Sequence, residues 1–274
     1  ALLALDGRMG LAGWQWLFLV EGFPAVVLGS IALWFLTDRP EQAAWLPPAE
    51  RTWLSAIMAR EHAERSAHHQ GSHLKALLNG RVLLICLIYF LNTLVSYGIF
   101  LWLPRILRDA SGFRGWRLSV VTSVPFLVAL VGMVLIGRHS DRTGERKGHV
   151  AACALTGAVG LVLAAVSGSS VPLIVFAFAL SQLGQRSVQG VFWAIPPIFL
   201  GGTAAAAGIA FINSIGNLGG FVGPSVMGWL RQVSGSYSAG LLVLASALII
   251  EAVLVMSLRL PAEPGRKAKQ TTAA

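Results

Sequence analysis

Charge is scarce in this 274-residue sequence: Asp, Glu, Lys and Arg together make up 12% of it, about half the share of a soluble domain. With 55% hydrophobic residues beside so little charge, a water-soluble core of this size is excluded and a polytopic membrane protein is expected. Cysteine is nearly absent too. Cys86 and Cys153 both fall within apolar runs, so no disulfide framework is supported and both read as small buried side chains. Histidine is missing from every apolar run, and no Ser/His/Asp or Cys/His set occurs there, so an enzyme is not expected and neither is a cofactor. An initiating Met and a cleavable leader are lacking as well. The sequence is expected to be a piece of something longer, or the product of a shifted start.

What is present is a series of long apolar runs. Seven are long enough for a hydrocarbon core of roughly 30 Å, which takes about 20 helical residues. They lie near Trp16–Leu36, Val82–Leu103, Leu118–Gly137, Val150–Val166, Pro172–Leu200, Ala204–Leu230 and Ala239–Leu258. None alternates as a barrel wall would, so all seven read as helices. Trp14, Trp16 and Trp34 bracket the first in the manner of an aromatic belt. Within it Glu21 reads either as a coupling carboxylate or as an interfacial acid bonded to a loop.

The net charge of +9 invites a nucleic-acid partner, but the charges sit in loops between apolar runs and none is expected. Fourteen of the 21 Lys and Arg residues fall in three segments: 37–81, 138–149 and the tail after Leu258. By the bias of cytoplasmic loops toward positive charge, that side is cytoplasmic, which puts the N-terminus outside and the C-terminus inside. The segment 37–81 contains an amphipathic helix over Ala49–Arg65, with Trp53, Leu54 and Ile57 on one side. His69 and His73 have the i,i+4 spacing of a metal pair, but no Cys or ordered carboxylate accompanies them, so they read as a solvated loop.

Polar residues inside the runs are the candidate site. Tyr89, Asn92 and Ser96 share one helix face with Tyr97 beside them. Such a face looks into a bundle or a watery cavity, where interhelical hydrogen bonds are the neutral reading. Gln182, Gln185, Arg186 and Gln189 form a second stripe, which Trp193 continues. A guanidinium at that depth costs at least about 2.5–3.5 kcal/mol unless it is partnered. Arg186 therefore either binds an anion, pairs with an internal acid such as Glu251, or snorkels. Asn213 and Asn217 lie one helical turn apart, so both amides can reach one ligand. Gly216/Gly220 and Gly219/Gly223 give the same helix a small-residue ridge for close packing.

The stretch Gly137 to Lys147 is read as a short turn joining two antiparallel spans. There Gly137 allows close helix approach, Gly144 suits a positive φ, and Asp141 is placed to accept hydrogen bonds from a helix end or to pair with the arginines around it. Its G-x-x-x-D-R-x-G-x-R-K pattern resembles the signature loop of the major facilitator superfamily, in the copy between that fold's eighth and ninth helices. A basic loop that merely obeys topology fits single residues but not the spacing. Trp14–Ala25, Asp38–Pro40, Tyr97–Pro104, Phe192–Pro196 and Ala204–Pro224 further resemble the anion:cation symporter family within that superfamily, which includes tartrate, phthalate and galactonate permeases.

That resemblance implies an all-α membrane fold of seven transmembrane helices, the last helix of a first bundle followed by a complete C-terminal six-helix bundle. Residues 1–36 would close the first bundle, 37–81 would connect, 82–258 would form the second bundle and 259–274 a basic cytoplasmic tail without ordered structure. It implies a multi-pass inner-membrane carrier that takes up a small organic carboxylate on a proton gradient by alternating access. Its partners would be the organic anion, the bilayer and a six-helix bundle that this sequence lacks. By resemblance Tyr97, Trp193, Asn213 and Asn217 map to the substrate, joined by Asn92, Gln185 and Arg186 from the polar stripes, although Arg186 and its glutamines depart from the family pattern. Gly137, Asp141, Arg142, Gly144 and Arg146 form the gating motif. A non-transporting sensor or assembly subunit built on the half-bundle is the alternative.

Overall fold

A computed structural model describes residues 2–67, 79–199 and 202–259 of the chain. Every regular element among them is helical: α1 Gly13–Phe35, α2 Pro48–Ala67, α3 Gly80–Ser111, α4 Gly115–Thr143, α5 Lys147–Val166, α6 Val171–Phe192, α7 Pro196–Phe199, α8 Gly202–Asn217, α9 Gly219–Ser234 and α10 Ser238–Ser257, with three short 3₁₀ turns before α2. Seven helical stretches among the described residues are long and apolar enough to cross a membrane, at the seven places the hydropathy indicates. His69, His73 and the tail from Leu260 lie outside the described residues.

The chain divides into two compact units, Ala1–His68 and His69–Ala274. In the first, Asp6 accepts from the Gly13 N–H at 2.6 Å and Gln15 from the Ala12 N–H at 2.8 Å, which satisfies donors at the open end of α1. Glu21 is exposed on α1. The helix α2 covers the expected amphipathic segment, with Leu54 and Ile57 half-buried while Trp53 is exposed.

The second unit is a bundle organised around α3, which packs on α4, α6, α8, α9 and α10, while α5 packs on α6 and α10 and α4 on α6. Short turns force successive helices to run antiparallel. One such turn is narrower than the sequence suggests. Helix α4 runs through Gly137–Thr143, leaving only Gly144–Arg146 as turn, because Ser140, Asp141 and Arg142 continue the α-helical bonding until Gly144 ends it at φ +66°. Gly144 thus has the expected positive φ. Gly137 does not have its expected role: a Cβ there would meet no atom within 4 Å, so nothing packs closely against it.

The two long runs near the C-terminus are interrupted. Helix α6 ends at Phe192 and Pro196 opens α7; α8 and α9 are separated by Leu218. The small-residue ridge beside that break behaves as expected, since side chains at Gly219 and Gly223 would run into the backbone of Leu94 on α3.

The bundle core has three tiers. One apolar cluster includes Ile85, Tyr89, Cys153, Val188, Phe192 and Val255; another includes Val95, Leu103, Leu161, Phe178 and Leu244. Between them in sequence, on three helices, lie the buried polar residues Asn92 and Thr93, Ser181, Gln182 and Gln185, and Glu251. A polar layer therefore crosses an otherwise apolar core.

Candidate functional site

The charged turn is tied together by its own side chains. Arg146 donates from Nη1 to Asp141 Oδ1 at 2.6 Å and to Ser140 Oγ at 3.1 Å, so the expected pairing of Asp141 is made by Arg146. Asp141 is 69% exposed, which limits this pair to about 1 kcal/mol or less. Arg142 lies in the last turn of α4, where a cation favours the helix C-terminus. Glu145 closes the far side by accepting from the N–H groups of Gly148 (2.6 Å) and His149 (3.0 Å) and bonding the His149 ring at 2.8 Å. Burial pushes its carboxyl up, but those three bonds outweigh it and hold Glu145 below the ordinary Glu range.

Further along the bundle, Ser96, Tyr97 and Phe100 of α3 and Arg186 and Gln189 of α6 line a cavity of about 260 Å³. Arg186 is half-buried there. Its Nη1 donates to Gln189 Oε1 at 3.4 Å and its guanidinium lies 5.8 Å from the centre of the Phe126 ring. The pairing with Glu251 that the sequence allows is not made: Glu251 is fully buried and bonded to Asn92. No ion pair to Arg186 occurs among the described residues. A larger cavity of about 330 Å³ lies at the bundle end bearing Asp109 and Tyr237, but its lining contains no cation for an anion to meet.

Asn92 and Gln185, like Tyr89 and Gln182 of the same two stripes, do not line the Arg186 cavity. Asn92 Nδ2 donates to Glu251 Oε1 at 3.2 Å, and Gln185 Nε2 donates to Asn92 O at 3.2 Å and Oδ1 at 3.5 Å. The i+3 and i+4 steps along α6 put Gln182 and Gln185 on the core side and leave Arg186 and Gln189 at its edge. Periodicity alone groups all four, because the helical angle between them is small. Their separation depends on where α3, α4 and α5 press against α6.

Asn213 and Asn217 sit on the exposed side of α8, with Asn217 Nδ2 donating to Asn213 O at 2.8 Å and Oδ1 at 3.0 Å. Trp193 is half-buried and meets the Tyr89 ring edge-on at 4.9 Å. Tyr89 also faces Gly216, and Tyr97 faces Gly220, so the two tyrosines of α3 connect Trp193, the asparagine helix and the Arg186 cavity. The cavity lining contains Tyr97 and Arg186 but not Trp193, Asn213 or Asn217. Sequence reasoning missed Phe100 in the cavity and the role of Glu145, whose position three residues before Gly148 is an ordinary helix-capping spacing.

Comparison with known proteins agrees with this architecture. The family model described as Major Facilitator Superfamily matches residues 4–195 and 115–274. Two proteins of Agrobacterium vitis, assigned by name as tartrate transporters, are 45% identical over 259 residues and 43% identical over 272. Those alignments take in 94% and 98% of this chain but 57% and 62% of the relatives. A protein of Acinetobacter baumannii named as a quinolone resistance transporter is 37% identical over 253 residues, covering 92% of this chain and 58% of its own length. The chain thus spans about three-fifths of the relatives it matches. With seven membrane-length helices among the described residues and a family model matching over nearly all its length, the chain is a multi-pass membrane protein and belongs to the Major Facilitator Superfamily.

Proposed function

We propose that the chain is part of a secondary transporter that takes up a small organic carboxylate with protons by alternating access. The observation that carries this reading is Arg186, a half-buried guanidinium with no carboxylate partner among the described residues, on the wall of a 260 Å³ cavity beside Tyr97. Placing a cation at that depth is costly, and a planar fork suits a carboxylate bidentately. The volume lies below the roughly 300–1,000 Å³ of drug-sized sites, which favours a small acid. Tyr97 and Gln189 offer it hydrogen bonds. Asn213, Asn217 and Trp193 would complete the site when this bundle rocks against a second one, and Asn92 and Gln185 support the wall from behind.

Residues 1–36 would then end the first bundle, 37–81 connect, 82–258 form the second bundle and 259–274 a cytoplasmic tail. The turn built on Asp141, Arg142, Gly144 and Arg146 would act at the gate, with Gly137 on its helical arm. The Lys and Arg bias supports an inner-membrane orientation with the N-terminus outside and the C-terminus in the cytoplasm. Tartrate, from the names of the two relatives, is the first substrate to test, followed by sugar acids and aromatic acids.

Uptake of these labelled acids by the complete transporter is the test. Arg186→Gln should raise KM about 10–100-fold, as expected for a lost charged hydrogen-bonded contact of roughly 1.5–3 kcal/mol. An unchanged KM in a folded variant would remove Arg186 from the site.

A further inference from the structure

We propose that the polar layer around Glu251 is a proton-binding site of this bundle, reached from the cavity that Arg186 lines. The proposal rests on the transporter reading above and deepens it by giving coupling an acceptor within this chain. Glu251 lies on α10 between the two apolar clusters and is fully buried. Asn92 Nδ2 donates to its Oε1 at 3.2 Å, while Oε2 has no hydrogen-bond partner among the described residues. No ion pair to it occurs among those residues either.

A carboxylate held by one amide and no cation is expensive inside a membrane-spanning bundle. The neutral acid fits this site better, with the proton on Oε2 and Oε1 accepting from Asn92. The elements packed around α10 bring little charge to it. Helix α3 contributes Asn92, with Cys86 and Tyr89 further along its buried face; α5 contributes Cys153. On α9 the basic group is Arg231 in the last turn, held over Tyr237; Arg186 stands on α6, which does not pack on α10, and it bonds Gln189 and lies by Phe126.

The site also has the means to release its proton. Gln182 Nε2 and Oε1, Gln185 Oε1 and Ser181 Oγ are buried near this level of α6 without partners among the described residues. Ordinarily such groups are hydrogen-bonded, so this many orphans on one helix marks a place built for more than packing. On this proposal the Gln182 amide would supply a donor when the acid loses its proton, beside the Asn92 amide already bonded to it. The route outward is short in sequence: Ser96, which lines the cavity, is one turn from Asn92, and Arg186 adjoins Gln185. The step breaks and forms only O–H bonds. Water admitted from the cavity past Ser96 and Asn92 would deliver a proton to Oε2 and later take it back, and an anion on Arg186 would bias that exchange through its own charge.

Infrared spectroscopy of the complete protein in lipid vesicles tests this. A protonated-carboxyl C=O band should be present at neutral pH, shift on exchange into D₂O, fade at alkaline pH and vanish in Glu251→Gln. Asn92→Ala should move the same band to higher frequency by removing the donor to Oε1, which keeps the test open if Glu251→Gln folds poorly. A band identical in wild type and the folded Glu251→Gln variant would overturn the proposal, as would one that neither exchanges nor titrates. In transport, Glu251→Gln should abolish accumulation above the outside concentration while keeping substrate counterflow; intact accumulation, or loss of both in a folded variant, also overturns it. If the wild type carries none of the acids, the transporter reading fails, while the infrared result still decides whether Glu251 binds a proton.

Discussion

Arg186 and Glu251 are a base and an acid on helices of one bundle, and the sequence offers each to the other, yet they occupy different settings. Arg186 stands at the edge of α6 beside Tyr97, which is 44% exposed, whereas Glu251 is closed in behind Asn92 and Gln185. A cation left at a cavity wall keeps its capacity for an incoming anion. An acid sealed among amides meets no competing ion, so its protonation can change only through its neighbours. Had the two paired, each would have neutralised the other and neither would be available for a ligand or a proton.

The largest effect is expected from Gly223→Leu, which drives a side chain into the backbone of Leu94 and disrupts the α3–α9 contact framing both regions. Overpacking of this kind costs about 3 kcal/mol or more when the opposing atoms are backbone. Thermal unfolding in detergent should show a large fall in Tm or no folded protein. Next comes Arg186→Gln, with KM raised about 10–100-fold and Tm little changed. Asn92→Ala should do the reverse, lowering stability by about 1–2 kcal/mol as Glu251 Oε1 loses its donor while Gln185 Nε2 keeps its bond to the backbone carbonyl of residue 92, with KM little altered.

Smaller still is Glu145→Gln at the charged turn, held by solvent screening under about 1 kcal/mol. Since Glu145 in the folded protein sits below the ordinary Glu range, its stabilisation is complete above that range and fades as pH falls through the folded value. Tm measured against pH should therefore fall on the acid side in the wild type and less steeply in Glu145→Gln. The smallest effect is the coupling between Arg186→Gln and Glu251→Gln in a double-mutant cycle of stability, expected within about 0.5 kcal/mol of zero. A coupling of several kcal/mol would mean that the two charges do pair.

Much of the fold was legible in the sequence, because a bilayer leaves few options: runs of about 20 apolar residues must close their own backbone hydrogen bonds as helices. The seven spans and the positive φ of Gly144 follow from that rule and from local sterics. The site was only half legible. Tyr97 and Arg186 do line one cavity, but the stripe from Gln182 to Gln189 divides between core and cavity, which a repeat of 3.6 residues does not resolve. Gly137 looked like a close-packing residue because Gly often is one; here α4 presents it to open space.

By itself the sequence determined that this chain is a set of membrane-length helices with polar groups at particular heights, since hydropathy and turn chemistry act locally along the chain. Only the tertiary structure decided which of those groups share a space. Asn92 reached Glu251 across 159 residues of sequence, and Arg186 was left to the cavity, because helix rotation and packing angle, not spacing along the chain, set the neighbours of a buried side chain.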